Sequence, residues 1–176
     1  MSDQRLRRLE REVAASPSLE SEAALLRERL RAGALSLERL ELAAYCGHEA
    51  ALDVVGRTCD RIHPGCPHGD LCLCCGCHEG VPLGVDDCWR GKRMHVLVSD
   101  FVAGLSRWGA GVQTMAAIAA ANAGDLVVVV RGVRDNGVLD VDAGGTAIAA
   151  AREAGEAPVR AAIQSALISW ALGSQG

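Results

Sequence analysis

The chain has 176 residues, room for one compact domain with or without a small subdomain. Hydrophobic residues make up 49% of it but aromatics only 3%, so a core must come from Ala, Leu and Val, which favours closely packed helices over a β-sandwich. The 18 basic residues are outnumbered by 22 acidic ones, a net charge of −4, the wrong balance for neutralising a run of phosphates, which speaks against nucleic-acid binding.

The opening stretch, MSDQRLRRLERE, is charged where an export signal needs an apolar core. No apolar run approaches the ~20 residues of a membrane span. The expectation is a cytoplasmic protein without a membrane partner. A reducing compartment keeps thiols free, so the eight cysteines point to metal or redox use rather than disulfides.

The spacing of Leu6, Leu9 and Val13 predicts an amphipathic helix over 3–14, with Arg5, Arg7, Arg8 and Arg11 on its other faces. Because Glu10 and Glu12 sit among those arginines, a solvated face explains them better than a basic patch. Residues 16–18, SPS, break the helix, and Ser18 caps the next, over 19–32, whose stripe is Leu19, Ala23, Leu26 and Leu30. Gly33 supplies a left-handed stop. Ser36 caps a third helix ended by Gly47, and a short fourth runs through HEAALDVV to Gly56. The tight link from Gly33 to Ser36 predicts that the second and third helices lie antiparallel as a hairpin.

The run EAALLRERLRAGALSLERLELAAYCGHEAA resembles a segment of uncharacterised bacterial proteins built from stacked short helices. Residues 100 to 121, DFVAGLSRWGAGVQTMAAIAAA, resemble the segment that follows it there. The resemblance covers about half of the chain. It implies an all-helical array and nothing catalytic, and the cysteine cluster is not part of it.

Further on, Met94 to Trp108 predicts a helix with Leu97, Phe101, Leu105 and Trp108 on one face and Gly109 as its stop. An Ala-rich helix over 112–123 follows, with Met115 and Ile118 inward. LVVVV at 126–130 and VLDV at 138–141 flank Asp135-Asn136-Gly137, a hairpin signature that competes with extension of the preceding helix. Two helices near 146–154 and 158–172 close the chain. Pro158 stands in the first turn of the last, Val159, Ile163, Ala166 and Trp170 face inward, and Gly173 ends it. The fold class expected is mainly α: antiparallel helical hairpins with a Cys-rich loop insertion and one small β-hairpin. The segments are 1–57 and 94–176, both helical, around a Cys/His-rich loop at 58–93.

The chemistry concentrates between Cys59 and Cys88, which hold seven of the eight cysteines and three of the five histidines. Zinc takes four ligands in a tetrahedron, and two cysteines separated by two residues can grip one ion. Two such pairs interleave here, Cys72 with Cys75 and Cys74 with Cys77. Spacing does not assign four ligands uniquely. The leading set is Cys66, Cys72, Cys75 and Cys77, with Cys74 and His78 as substitutes. Thiolates at this density suit zinc first, with Cu(I) or an iron–sulfur cluster as alternatives. Residues this rich in Gly, Pro and Cys bury little apolar surface. A structural zinc contributes an apparent ~10–16 kcal/mol in finger peptides, as much as the ~5–15 kcal/mol by which a whole domain is stable.

Cys74 to His78 also reads as C-x-x-C-H, the attachment motif of a c-type haem, but that chemistry follows export, and surplus thiols surround the motif. A thioredoxin-like role lacks its βαβ setting. His48-Glu49 begins a zinc-protease helix, yet Leu52 stands where the second His is required. Cys46 reads as a small buried core residue rather than a nucleophile for His48. Asp135, Asp140 and Asp142 lack the spacing and closing Glu of a calcium loop, so turn chemistry suffices. The expected function is therefore non-enzymatic, a helical surface offered to another protein and stapled by a metal. The alternative is metal handling or thiol redox sensing by the cysteine stretch itself.

Overall fold

Local capping chemistry sets the helix boundaries. The structure is a computed structural model and describes residues 2–55, 98–128, 130–133 and 139–173. The chain divides into two units, one of Met1–Ile62 with Ile168–Gly176 and the other of His63–Leu167. The fold is mainly α.

In the first unit, helix α1 (Ser2–Ala15) packs on α2 (Leu19–Arg31), α2 also packs on α4 (Glu49–Val55), and α3 (Leu37–Tyr45) packs on α4. Ser18 begins α2 with a reciprocal capping box: its hydroxyl accepts the Ser21 N–H at 3.1 Å, while the Ser21 hydroxyl accepts the Ser18 N–H at 3.0 Å. Ser36 caps α3 by accepting the Arg39 N–H at 3.3 Å. Both helices end in Schellman motifs. The N–H groups of Gly33 and Ala34 bond to the carbonyls of Leu30 and Arg29 at 3.1 and 2.9 Å. Those of Gly47 and His48 bond to Ala44 and Ala43 at 2.9 and 3.0 Å. The glycines have φ of +72° and +93°, the region where a side chain is strained.

The predicted pairing of α2 with α3 is corrected: α2 packs chiefly on α1 and α4, and α3 on α4. The reason lies in the link. After the Schellman turn Leu35 drops into the core, 2% exposed, and its N–H also bonds to the Arg29 carbonyl at 3.2 Å. The chain thus turns inward before Ser36 starts α3, and α4 takes the place beside α2.

In the second unit, α5 (Val98–Gly104) tightens into a 3₁₀ turn, Leu105–Trp108, and stops at Gly109 with φ +85°. α6 (Ala110–Ala123) packs against α7 (Ala143–Ala154), which also packs on α5. α8 (Glu156–Leu172) follows; its last residues, from Ile168, group with the first unit. Strands β1 (Val130–Val133) and β2 (Leu139–Val141) pair antiparallel, Val130 opposite Val141 and Val133 opposite Leu139, with an irregularity between Val130 and Gly132. The hairpin forms, but its first strand starts at Val130 rather than Leu126. Leu126 is used otherwise: its N–H closes α6 on the Ala121 carbonyl at 2.8 Å, after Asp125 takes φ +53°. The Asp135-Asn136-Gly137 turn lies outside the described residues.

Three side chains expected inward face out. Ile118 is 46% exposed because α6 buries Val112, Ala116, Ala117, Ala120 and Ala121 instead. On α8 the buried row is Val159, Ile163, Leu167 and Ala171, spaced by four. Ala166 and Trp170, one position before two of these, fall on the exposed edge. Trp108, expected in the core, is half-buried, with the Arg107 guanidinium 4.6 Å from its ring centre.

Candidate functional site

The candidate metal ligands, Cys66, Cys72, Cys74, Cys75, Cys77 and His78, lie outside the described residues, as do Cys59 and Cys88. Cys46 is described, and it is buried at the C-terminal cap of α3, as its reading as core predicted. Among the described residues, no group of three His, Cys, Asp or Glu side chains is placed to hold a metal ion. No described helix is long and apolar enough to cross a membrane.

Four arrangements among the described polar groups bear on function. The first is a carboxylate clasped by arginines. Glu28 of α2 is only 3% exposed, because Arg31 and Arg5 lie over it while remaining largely in solvent themselves. Arg31 donates through both Nε, at 3.1 Å, and Nη2 to the two carboxylate oxygens, and Arg5 of α1 comes within 3.4 Å. The hydrogen bonds from Arg31 hold the Glu28 carboxyl below its ordinary pKa of 4.5, against the opposing effect of burial. The same bonds raise the Arg31 guanidinium.

The second arrangement closes the end of α8. Arg29 of α2 donates from Nη1 to the Leu172 carbonyl at 2.8 Å. Arg39 of α3 donates from Nη2 to the carbonyls of Trp170 and Gly173, and its guanidinium lies 4.9 Å from the Trp170 ring centre. Cations belong at a helix C-terminus, where the free carbonyls carry the negative end of the dipole.

The third is His48, the N-cap of α4. Its Nδ1 accepts the Ala51 N–H at 3.2 Å, and its carbonyl accepts the Leu52 N–H at 3.0 Å. Burial pushes its pKa below the ordinary 6.5, against the opposing pull of Glu22 and Glu49. The fourth lies in the second unit. The Glu156 carboxylate accepts the first amide of α5, Val98, at 2.7 Å and faces Arg160 at 4.0 Å. Arg160 is 8% exposed, and burial lowers its pKa.

Of these, the Glu28–Arg31 and Glu156–Arg160 pairs, three and four residues apart on one helix, and the His48 cap on Ala51 are local enough to have been read from the sequence. Arg39 meets Trp170 across 131 positions, and Glu156 meets Val98 across 58, so neither leaves a local signal.

No protein-family model, curated protein or solved structure matches this chain.

Proposed function

We propose that this chain is a non-enzymatic helical interaction module working in the cytoplasm, in which the Cys59–Cys88 stretch binds zinc as a structural staple. One observation carries the reading: seven cysteines and three histidines fall within thirty consecutive residues, a donor density that suits a soft-ligand metal site. The ligand set is drawn from Cys66, Cys72, Cys75 and Cys77, with Cys74 and His78 as substitutes. Two further points support a scaffold. The polar side chains described above act as helix caps and clasps, and the likeness to bacterial proteins of stacked short helices implies an array whose exposed faces bind another protein.

A second reading is favoured by the number of donors. Ten are more than one tetrahedral ion requires, and the two C-x-x-C pairs interleave, which suits a site that exchanges metal or reacts with oxidants. Elemental analysis of the protein purified without added metal or chelator, with circular dichroism before and after a strong chelator, separates the two. Near-stoichiometric zinc lost together with helical signal supports the staple. Metal that exchanges while the helices persist supports handling or sensing, and absence of bound metal overturns the zinc reading. Cys72→Ser is expected to lower zinc content and thermal stability together, because metal binding and folding are coupled. Unchanged values would remove Cys72 from the ligand set.

A further inference from the structure

Histidine is an unusual N-cap. The favoured side chains, Ser, Thr, Asp and Asn, present an oxygen that accepts a hydrogen bond at any pH above the carboxylate range. An imidazole can accept at Nδ1 only while neutral, since both ring nitrogens carry protons in the charged form. His48 caps in this conditional way, with Nδ1 receiving the Ala51 N–H at 3.2 Å. The helix it starts has seven residues, far below the ~12–15 at which an isolated helix becomes even marginal. Its persistence rests on this cap and on the burial of Ala50, Ala51, Leu52 and Val55.

We propose that His48 is a proton-sensitive latch on α4: neutral, it closes the first turn of the helix; protonated, it cannot accept the Ala51 N–H, and α4 opens while α2 and α3 stay folded. An imidazolium would also stand at the positive end of the helix dipole, which opposes it. The neighbours of α4 define the surroundings. From α2 the facing charge is Glu22, and from α4 it is Glu49; both draw a proton toward the ring, and burial outweighs them. The last turn of α3 brings no charge, only the buried side chains of Tyr45 and Cys46. Arg27 of α2 and Asp53 of α4 pair at 2.5 Å, neutralising each other.

The latch distinguishes α4 from its neighbours, which the capping chemistry makes indifferent to the same protons. α2 and α3 begin on the serine hydroxyls of Ser18 and Ser36, which do not titrate. The sign follows from linkage. The folded state resists the proton that the unfolded state accepts near pH 6.5, so α4 is fully held above that pH and loses protection as the pH falls below it. A single proton limits the loss to about tenfold per pH unit. In the sequence, α4 is the last described helix before the Cys59–Cys88 stretch.

The test is a nuclear magnetic resonance titration of the full chain, as purified, from pH 7.5 to 5. It follows the His48 ring signals and the exchange protection factors of the α4 amides, for the wild type and for His48→Asn. Asn caps a helix well and does not titrate. In the wild type, protection of Leu52 to Val55 is expected to fall relative to α2 and α3 as the pH drops below 6.5; in His48→Asn it should stay level with them. A His48 ring that titrates at or above 6.5 in the folded protein would overturn the latch. So would an equal loss of α4 protection in the Asn variant. The ring titration needs no variant, so poor folding of His48→Asn would not shield the proposal.

Discussion

The two units solve the same packing problem with different side chains. The first sets large leucines among its buried alanines: Leu26, Leu35, Leu40, Leu42 and Leu52 are all buried, the middle three at 2% exposure or less, beside Ala23, Ala43, Ala44, Ala50 and Ala51. In α6 and α7 of the second, which pack on each other, the buried residues are mostly alanines, Ala116, Ala117, Ala120 and Ala121 on one helix and Ala143, Ala147 and Ala150 on the other, with Val112 and Thr146 beside them. A leucine seam holds through the volume and apolar area it buries, about 25 cal/mol per Å². An alanine seam buries less per residue and depends instead on how closely the backbones approach. At its tightest, a Cβ on Gly124 would lie 2.8 Å from the Cα of Ala150 and 2.9 Å from its Cβ. The first region should therefore fail when volume is removed, and the second when volume is added.

That contrast can be broken directly. Leu42→Ala, at 0% exposure, is expected to cost ~2–5 kcal/mol, as buried leucine truncations do. Denaturant unfolding of the full chain measures it, and a loss under ~1 kcal/mol would mean that the site collapses around the gap. Gly124→Ala adds one methyl group and is expected to cost ~1–3 kcal/mol by overpacking. Its backbone φ of −96° suits alanine, so conformational strain is not the cause. A neutral or stabilising Gly124→Ala would show that α6 and α7 can separate without penalty, and the distinction between the two seams would vanish.

The sequence disclosed most where the cause was local. Ser18, Ser36, Gly33, Gly47 and Gly109 fixed helix ends because caps and left-handed stops act within one turn. The stripe of α2 was legible in part for the same reason, Ala23 and Leu26 being buried and Leu19 and Leu30 half-buried, since a 3.6-residue period is strong when the apolar residues are large. In the Ala-rich helices the pattern carries little contrast, and the largest apolar side chain misleads: Ile118 and Trp170 look like core and are exposed. What packs against what was less legible still. The α2–α3 pairing failed because Leu35 in the link redirected the chain. The start of β1 was displaced because closing α6 claimed Leu126. For the candidate site, only the residue types and their spacing could be read, and that part of the chain lies outside the described residues.

The polar groups extend the comparison to pH. The first unit holds a shielded carboxylate, Glu28, under two arginines; the second holds a buried cation, Arg160, beside Glu156. Glu28 has its pKa lowered in the folded state by the Arg31 hydrogen bonds. Its stabilising contribution is therefore complete above the unfolded value near 4.5 and disappears as the pH falls through the lower folded value. The window is distinct from that of His48, which opens below 6.5. Glu28→Gln keeps the shape and removes the charge, so the variant should be less stable than the wild type at pH 7. The difference should narrow between pH 5 and 3 as the wild-type carboxylate takes up its proton. Both arginines stay mostly in water, which keeps the effect smaller than either packing change. Thermal melts of the two proteins across that range decide the matter. A gap that stays constant down to pH 3 would mean that Glu28 contributes through its packing and neutral hydrogen bonds, and that its charge adds nothing to the arginine clasp.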